Sequence, residues 1–194
     1  KDFNESTSLF SKEALNVLSK AEQSCALKHF LAWKAFLKSQ YKYCLIFEDD
    51  IFLACDFIKK FTNSLKELDT LNNKMVSIQY SNAANLYTPK QKLKPNQYLY
   101  PNHQCRAADA YLITTESANA RISYIEKHHF TLSADWQTNL MDPILGIQFL
   151  WFERPIAEQG SQSGKFDSSL QVKKYPLWIT KIKWAIKRLQ RKHK

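Results

Sequence analysis

Apolar residues along this chain recur at two different spacings, and the changes of spacing predict the order of its helices and strands. The first long helix is predicted from four apolar residues at three- and four-residue spacing: Ala26, Phe30, Trp33 and Leu37. Ser19 and Glu22 precede them as a capping box, which marks where this helix begins. A shorter helix is expected before it, from Ser11 to Leu18.

Strand-like runs alternate with further helical patterns over the rest of the chain. Five apolar or aromatic residues from Tyr43 to Phe47 predict a fully buried strand. Further strands are predicted over residues 75–80, 106–114 and 147–152, and further helices over residues 56–68 and 115–128. This alternation favours a layered α/β domain. The length of 194 residues suits one domain with a substantial core.

Three carboxylates, Glu48, Asp49 and Asp50, directly follow the first predicted strand. No Lys or Arg occupies the next eight positions, although buried charge is costly unless it is paired. In an open α/β sheet, ligands bind at the carboxyl ends of central strands, and oxygen ligands suit Mg²⁺ or Mn²⁺. The alternative is a solvated acidic turn that closes a core strand. In an extended segment Glu48 and Asp50 point to the same side and Asp49 to the other.

The composition narrows the classes of partner. A net charge of +10 predicts attraction to polyanions such as nucleic acid, anionic lipid or phosphorylated sugars. Only 3 glycines exclude a glycine-rich phosphate loop. The four cysteines have no C-x-x-C spacing. Cys25 and Cys44 fall within apolar patterns, which favours buried free thiols in a reducing compartment over a secreted disulfide protein. No apolar run reaches the ~20 residues of a membrane span, and no signal peptide is visible.

Three further places carry candidate chemistry. His29 lies on an apolar side of the first long helix, either as a ligand or as a satisfied, partly buried side chain. Asp135 puts a carboxylate beside the aromatic Trp136. The polar stretch from Ala157 to Ser169 is interpreted as an active-site flap or a simple surface loop.

The end of the chain has a composition of its own. From Pro176 onward Trp178 flanks one apolar stripe, and the stripe consists of Ile179, Ile182, Ile186 and Leu189. The remaining positions are rich in Lys and Arg. A basic amphipathic helix with interfacial tryptophan suits an anionic membrane surface. The alternatives are docking on the domain itself or on nucleic acid.

Several separated segments resemble one family, glycosyltransferase family 25, the bacterial lipooligosaccharide galactosyltransferases and their relatives. Residues 19–33 resemble that family's "GEIGCALSH…W" helix, and residues 44–50 resemble its "lilEDD" strand. Residues 108–114, followed by Ala118, are similar to "aYlis…gA". Asp135 stands where the family has an acidic residue after its third helix, and residues 155–163 resemble the closing "P…Q…S" stretch through Gln159. The resemblance covers roughly Ser19 to Ser169.

The chain departs from the family pattern at several points. Ser24, Lys28 and Ser117 stand where the family has Gly, Ser and Gly. Nothing before Ser19 resembles the opening "viNL…R" strand, which helps to hold the nucleotide in the family. We therefore expect residues 1–18 to be an N-terminal extension, residues 19–172 the glycosyltransferase-like domain without the usual first strand, and residues 173–194 a basic amphipathic tail.

The resemblance implies a GT-A-like nucleotide-sugar-binding fold of the α/β class. It further implies an inverting, metal-dependent transfer of galactose from UDP-galactose to a lipooligosaccharide. A divalent cation, Mn²⁺ or Mg²⁺, would neutralise the charge that develops on the nucleotide diphosphate leaving group. Asp50 is then the expected direct ligand, Glu48 faces the water shell of the metal or the ribose, and Asp49 assists if the strand has already turned.

The same resemblance gives roles to residues near the end of the match. An inverting displacement needs one base for the acceptor hydroxyl, and Asp135 is the best candidate, with a helix cap as its alternative. Trp136 would be a platform on which a sugar stacks. Gln159 and Ser163 would contact donor or acceptor.

The basic tail fits an acceptor that is a phosphorylated glycolipid in the inner leaflet of a Gram-negative inner membrane. The enzyme would then be cytoplasmic and peripheral on that membrane, and no nucleic-acid partner is expected. One alternative is a truncated, non-catalytic binding domain, and another is a nucleic-acid-binding protein, which the acidic triplet disfavours. A metal-dependent phosphohydrolase would need further acidic or His ligands.

Overall fold

A computed structural model describes residues 7–81, 94–102 and 107–163, together with residues 176, 178–179, 181–183 and 185–186. Its helices are α1 (Lys12–Val17), α2 (Lys20–Leu37), α3 (Phe57–Asp69), α4 (Thr115–His128), α5 (Ala134–Leu145) and α6 (Gly160–Ser163). Its strands are β1 (Tyr43–Phe47), β2 (Ile51–Leu53), β3 (Val76–Gln79), β4 (Leu99–Pro101), β5 (Ala110–Thr114), β6 (Gln148–Phe152) and β7 (Ala157–Gln159).

Five of these strands form one mixed sheet in the order β1-β5-β3-β6-β4. β3 and β6 are parallel, whereas β5 is antiparallel to both β1 and β3. Strands β1, β3 and β6 therefore run in one direction, and their carboxyl ends lie at the same edge as the start of β5. We call this edge the carboxyl edge. β2 and β7 form a separate antiparallel pair, in which Ile51 lies opposite Gln159.

Helices cover both faces of the sheet, so the architecture is a mixed α/β fold consistent with a Rossmann or GT-A-like arrangement. On one face of the sheet, α2, α4 and α5 form a core with Tyr111 and Ile113 of β5. On the other face α3 packs through Phe57 and Leu68. Alternate residues of β5 enter the two cores, as the period of a strand requires.

The expectation that the first strand is central and fully buried is wrong. β1 lies at the end of the sheet order, and its residues are only partly buried. Cys44 and Ile46 nevertheless pack against one core, and Tyr43 and Leu45 against the other. An edge strand with both faces covered has the same continuous apolar run as a central strand, because the run reports on faces and not on hydrogen-bonded neighbours.

The predicted start of α2 is confirmed. The Ser19 hydroxyl accepts a hydrogen bond from the Glu22 amide at 3.2 Å, and the Ser19 amide donates to Glu22 Oε2 at 2.9 Å. Ahead of it, α1 occupies residues 12–17 of the short helix expected there. Phe10 is buried and stacks on Phe130 with ring centroids 5.1 Å apart, so the described residues before Ser19 pack onto the domain.

Only part of the tail lies within the described residues. Trp178, Ile182 and Ile186 are exposed there, and so are Lys181 and Lys183. The expected helix over residues 173–194 otherwise lies outside the described residues and stays a prediction. No helix in the described part of the chain is both long and apolar enough to cross a membrane.

Candidate functional site

Acidic residues collect at the carboxyl edge of the sheet because of its topology. Glu48 follows β1, Asp109 precedes β5, and Glu153 follows β6. The Glu48 amide donates a hydrogen bond to the Asp109 carbonyl at 2.8 Å, which joins the first two of these positions. In a chain of net charge +10 this edge is a local concentration of negative charge.

Glu48 lies at the centre of the site. Its Oε2 accepts a hydrogen bond from Gln159 Nε2 at 2.9 Å, so β1 and β7 meet through two residues that the sequence singled out. Its Oε1 lies 3.7 Å from the Cys25 sulfur and 3.9 Å from His29 Nε2. Cys25 and His29 lie one turn apart on α2, and that turn therefore faces the end of β1.

Asp50 lies in the turn between β1 and β2 and is held by the start of α6. Its carbonyl accepts from the Gly160 amide at 2.8 Å, and its Oδ2 accepts from the Ser161 amide at 2.9 Å. Its Oδ1 is buried and has no hydrogen-bond partner among the described residues. A buried carboxylate oxygen without a donor is costly, and this atom is therefore suited to a cation. Asp49, between Glu48 and Asp50, is exposed.

Asp135 belongs to the first turn of α5 and is partly buried. Ser133 occupies the N-cap position, and its hydroxyl donates to Asp135 Oδ1 at 3.0 Å. Asp135 is therefore not the cap of this helix. Its neighbour Trp136 is 56% exposed, with its ring available to solvent.

Cys25 is protonated in this environment. Burial, followed by the charge and the hydrogen bond of Glu48, raises the pKa of its thiol to about 12. The charge of Asp135 acts in the same direction, and Lys28 opposes it. Cys25 therefore donates its S–H to Glu48, and Asp135 is close enough to this cluster to act on it electrostatically.

Asp109 is a candidate functional residue that the sequence motifs did not predict. It is fully buried, and burial raises the pKa of its carboxyl to about 7, with the Ser81 hydroxyl opposing and the Glu48 charge adding to the rise. The Ala110 amide donates to its Oδ1 at 2.9 Å. A lone Asp between Ala108 and Ala110 in an apolar strand was the available signal, because such a position predicts a buried carboxyl.

Cys25, His29 and Glu48 form a possible metal-binding triad, because one ligand atom from each lies within 4.8 Å of the others. The sequence predicts Glu48 near a metal and Cys25 as a buried thiol. For His29 it leaves two possibilities, a ligand or a satisfied side chain. The structure places His29 in a buried position with Nδ1 3.1 Å from the Tyr111 hydroxyl.

The other predicted residues lie apart from this triad or outside the description. Asp50 is held by α6 and is not one of the three clustered ligands. Ser163 is the last residue of α6, and its side chain is outside the described part of the structure. The site thus brings Glu48 and Gln159 into contact. Asp50 follows Glu48 by two residues in the chain.

Comparison with known proteins identifies the family. The sequence model of glycosyltransferase family 25, described as an LPS biosynthesis protein, matches residues 2–136. The match contains Glu48, Asp50, Asp109 and Asp135, extends N-terminally beyond Ser19, and ends before Gln159. A search of curated proteins found no match. With well over half of its length matched, the chain belongs to glycosyltransferase family 25, a family of glycosyltransferases in LPS biosynthesis, as its motifs suggested.

Proposed function

We propose that this protein transfers galactose from UDP-galactose to a lipooligosaccharide acceptor with inversion at the anomeric carbon. Family membership supports a nucleotide-sugar donor and an LPS-type acceptor in general. The observation that carries the proposal is Asp50 Oδ1, a buried carboxylate atom without a hydrogen-bond donor in the described structure. It lies at the carboxyl edge, where α/β sheets bind their ligands.

A divalent cation, Mn²⁺ or Mg²⁺, fits these residues. Asp50 would hold it directly, Glu48 would face it or its water, and the exposed Asp49 would assist from the turn. Carboxylate oxygens are the ligands that both cations prefer. When bound, the cation would neutralise the charge that develops on the nucleotide diphosphate leaving group.

Gln159 and Trp136 would position the substrates. The Gln159 amide donates to Glu48 and so fixes the orientation of that carboxylate. The exposed indole of Trp136 offers an apolar face on which a sugar ring can stack, with its N–H free to reach a hydroxyl. Ser163, at the end of α6, is proposed to contact donor or acceptor.

Asp135 would be the base. In an inverting reaction the acceptor oxygen attacks the anomeric carbon as the bond to the nucleotide diphosphate breaks, and a carboxylate takes the proton of the acceptor hydroxyl. The Ser133 hydroxyl donates to Oδ1 and orients the group, and Oδ2 is the atom proposed to receive the proton. Trp136, the next residue, would hold the sugar beside it.

Nucleotide titration tests the donor site. We expect UDP and UDP-galactose to bind in the presence of Mn²⁺, and Asp50→Asn to weaken this binding about tenfold or more, or ~1.4 kcal/mol. The matched control is Asp56→Asn, an exposed carboxylate that pairs with Lys60 at 2.8 Å. Calorimetry with and without Mn²⁺ makes the measurement. A folded wild-type protein that shows no metal-dependent nucleotide binding would refute the transferase proposal for this chain.

The base is tested separately from the donor site. Asp135→Asn should keep Mn²⁺-dependent donor binding and lower the transfer rate by roughly 10²- to 10⁴-fold. Transfer to a lipooligosaccharide acceptor is measured with labelled donor. An unchanged transfer rate would exclude Asp135 as the base. Donor binding without transfer in the wild-type protein would favour the alternative of a non-catalytic binding domain.

A further inference from the structure

Cys25 and His29 have the spacing of a helical metal chelate. They lie four residues apart on α2, so their side chains project from the same face, one turn apart. Glu48, from the end of β1, meets this face: its Oε1 is 3.7 Å from Cys25 Sγ and 3.9 Å from His29 Nε2. Three different ligand types thus converge within 4.8 Å of one another.

These separations are close to those in a tetrahedral zinc site. Zinc bonds of about 2.0 to 2.3 Å at tetrahedral angles separate neighbouring ligand atoms by about 3.4 to 3.6 Å. The two separations from Glu48 Oε1 would therefore need to shorten by only a few tenths of an ångström, within the freedom of a side chain that is only partly buried. A thiolate with an imidazole favours Zn²⁺ over Mn²⁺ or Mg²⁺, which prefer oxygen ligands.

The residues behind His29 support the same geometry. Its Nδ1 lies 3.1 Å from the Tyr111 hydroxyl, and that hydroxyl also accepts a hydrogen bond from Trp33 Nε1 at 2.8 Å. A histidine that binds metal through one nitrogen usually bonds a fixed partner through the other, which sets its tautomer and ring orientation. Here that partner is in place, and Nε2 is the nitrogen directed at Glu48.

We propose that Cys25, His29 and Glu48 form a Zn²⁺ site with one open coordination position, which shares Glu48 with the proposed donor site but does not include Asp50. Zinc would displace the thiol proton of Cys25, which leaves to solvent. The site goes beyond the proposed transferase activity and does not require it. If that activity holds, zinc inhibits it, because bound zinc removes Glu48 from the donor site.

Cobalt provides the direct test, because a thiolate bound to tetrahedral Co²⁺ gives a near-ultraviolet charge-transfer band and visible d–d bands. The full chain, reduced with a non-chelating phosphine, is titrated with Co²⁺, and Zn²⁺ is then used to displace it. Zinc affinity is measured by competition with a chromophoric chelator. The variants are Cys25→Ser and His29→Gln, and Cys55→Ser is the control because Cys55 is an exposed cysteine outside the cluster.

We expect the wild-type protein and Cys55→Ser to bind one Co²⁺ with the thiolate band and to release it to Zn²⁺. Cys25→Ser should lose the band, and both cluster variants should bind Zn²⁺ at least ~100-fold more weakly, since even outer partners of zinc ligands contribute about 10- to 100-fold. Circular dichroism checks that the variants are folded. The comparison of zinc affinity can be made with either Cys25→Ser or His29→Gln, provided that the variant is folded. No thiolate band in the wild-type protein, or an equal band in Cys25→Ser, would overturn the zinc site.

Asp50→Asn separates this site from the proposed donor site. It should bind Zn²⁺ as the wild-type protein does while losing Mn²⁺-dependent UDP binding. If zinc binds and UDP does not bind even to the wild-type protein, the transferase proposal fails and the zinc site stands. If Asp50→Asn abolishes both, Asp50 is a zinc ligand and the proposal of a site without Asp50 is wrong.

Discussion

Asp109 shows at the scale of one residue how the fold sets protonation. Its carboxyl is fully buried at the start of β5. The Glu48 amide donates a hydrogen bond to the backbone carbonyl of Asp109. The pKa is raised from the model-compound value of 3.8 to about 7, chiefly by burial. Near neutral pH this carboxyl is close to its titration midpoint, whereas in the unfolded chain it is fully ionised.

The stability of the protein should therefore depend on pH through Asp109. Between about pH 4 and pH 7 the folded state binds more protons than the unfolded state, so the free energy of unfolding falls as pH rises, by at most ~1.4 kcal/mol per pH unit. Asp109→Asn cannot ionise and should lack this slope. Urea unfolding of both proteins across that range, with chelator present, checks it. Parallel pH profiles would contradict the buried titration.

At the scale of residues, the sequence holds a local signal for Glu48 and Asp50, because an acidic triplet follows an apolar run. Their role as metal ligands stays a prediction. Cys25 and His29 were visible on one stripe of α2, yet their partner Glu48 comes from a strand 19 residues farther along the chain from His29. Only packing of α2 on β1 brings a third ligand to that pair.

At the scale of elements, a buried ion pair joins α4 to α5. Arg121 donates to Asp142 through Nε at 2.9 Å and through a second nitrogen at 2.6 Å, and both side chains are buried. The Arg121 guanidinium also lies 5.3 Å from the Trp33 ring centroid on α2. Burial raises the pKa of Asp142, and the Arg121 charge opposes that rise. This pair holds the helix that carries Asp135 and Trp136.

Removing one partner should be much worse than removing both. Arg121→Met leaves an uncompensated carboxylate and should lower the free energy of unfolding by about 3 to 5 kcal/mol. The double variant Arg121→Met, Asp142→Leu should recover a large part of that loss, because no buried charge then lacks a partner. Denaturant unfolding of the wild-type protein, Arg121→Met, Asp142→Leu and the double variant makes the comparison. Additive losses would show that the pair is not energetically coupled.

The sequence predicted where a helix begins when the capping residues are neighbours in the chain. It did not predict the position of a strand within the sheet. Ser19 and Glu22 bond each other within four residues, so α2 begins where the pattern indicated. β1 instead took an edge position, which depends on its pairing with β5, more than 60 residues away along the chain. Periodicity reports which faces are covered and contains no information on strand order.

At the scale of the whole molecule, charge is unevenly distributed. The net charge is +10, yet the carboxyl edge is acidic, and the last 19 residues contain seven Lys or Arg. The described part of that tail exposes Trp178 and Ile182 beside Lys181 and Lys183. We propose that the tail binds the anionic inner face of the Gram-negative inner membrane, where such an enzyme would meet its lipid-linked acceptor.

Deleting residues 176–194 should remove binding to anionic liposomes, since each basic residue near such a surface contributes about 1 kcal/mol. Transfer to a water-soluble acceptor should persist, because the proposed donor and base residues lie outside the deletion. Vesicle co-sedimentation with anionic and neutral lipids, at low and high salt, measures this. Liposome binding that survives the deletion would count against the tail as anchor.

What the sequence determined by itself is the set of local decisions. These are the helix starts marked by capping residues, the alternation of helical and strand periods, the carboxylates after β1, and the family. Each is carried by short motifs whose residues lie close together in the chain. Tertiary structure decided which strand lies at an edge of the sheet and that Cys25 and His29 face Glu48. Those outcomes depend on contacts between distant segments, whose energies come from burial and pairing that no local pattern encodes.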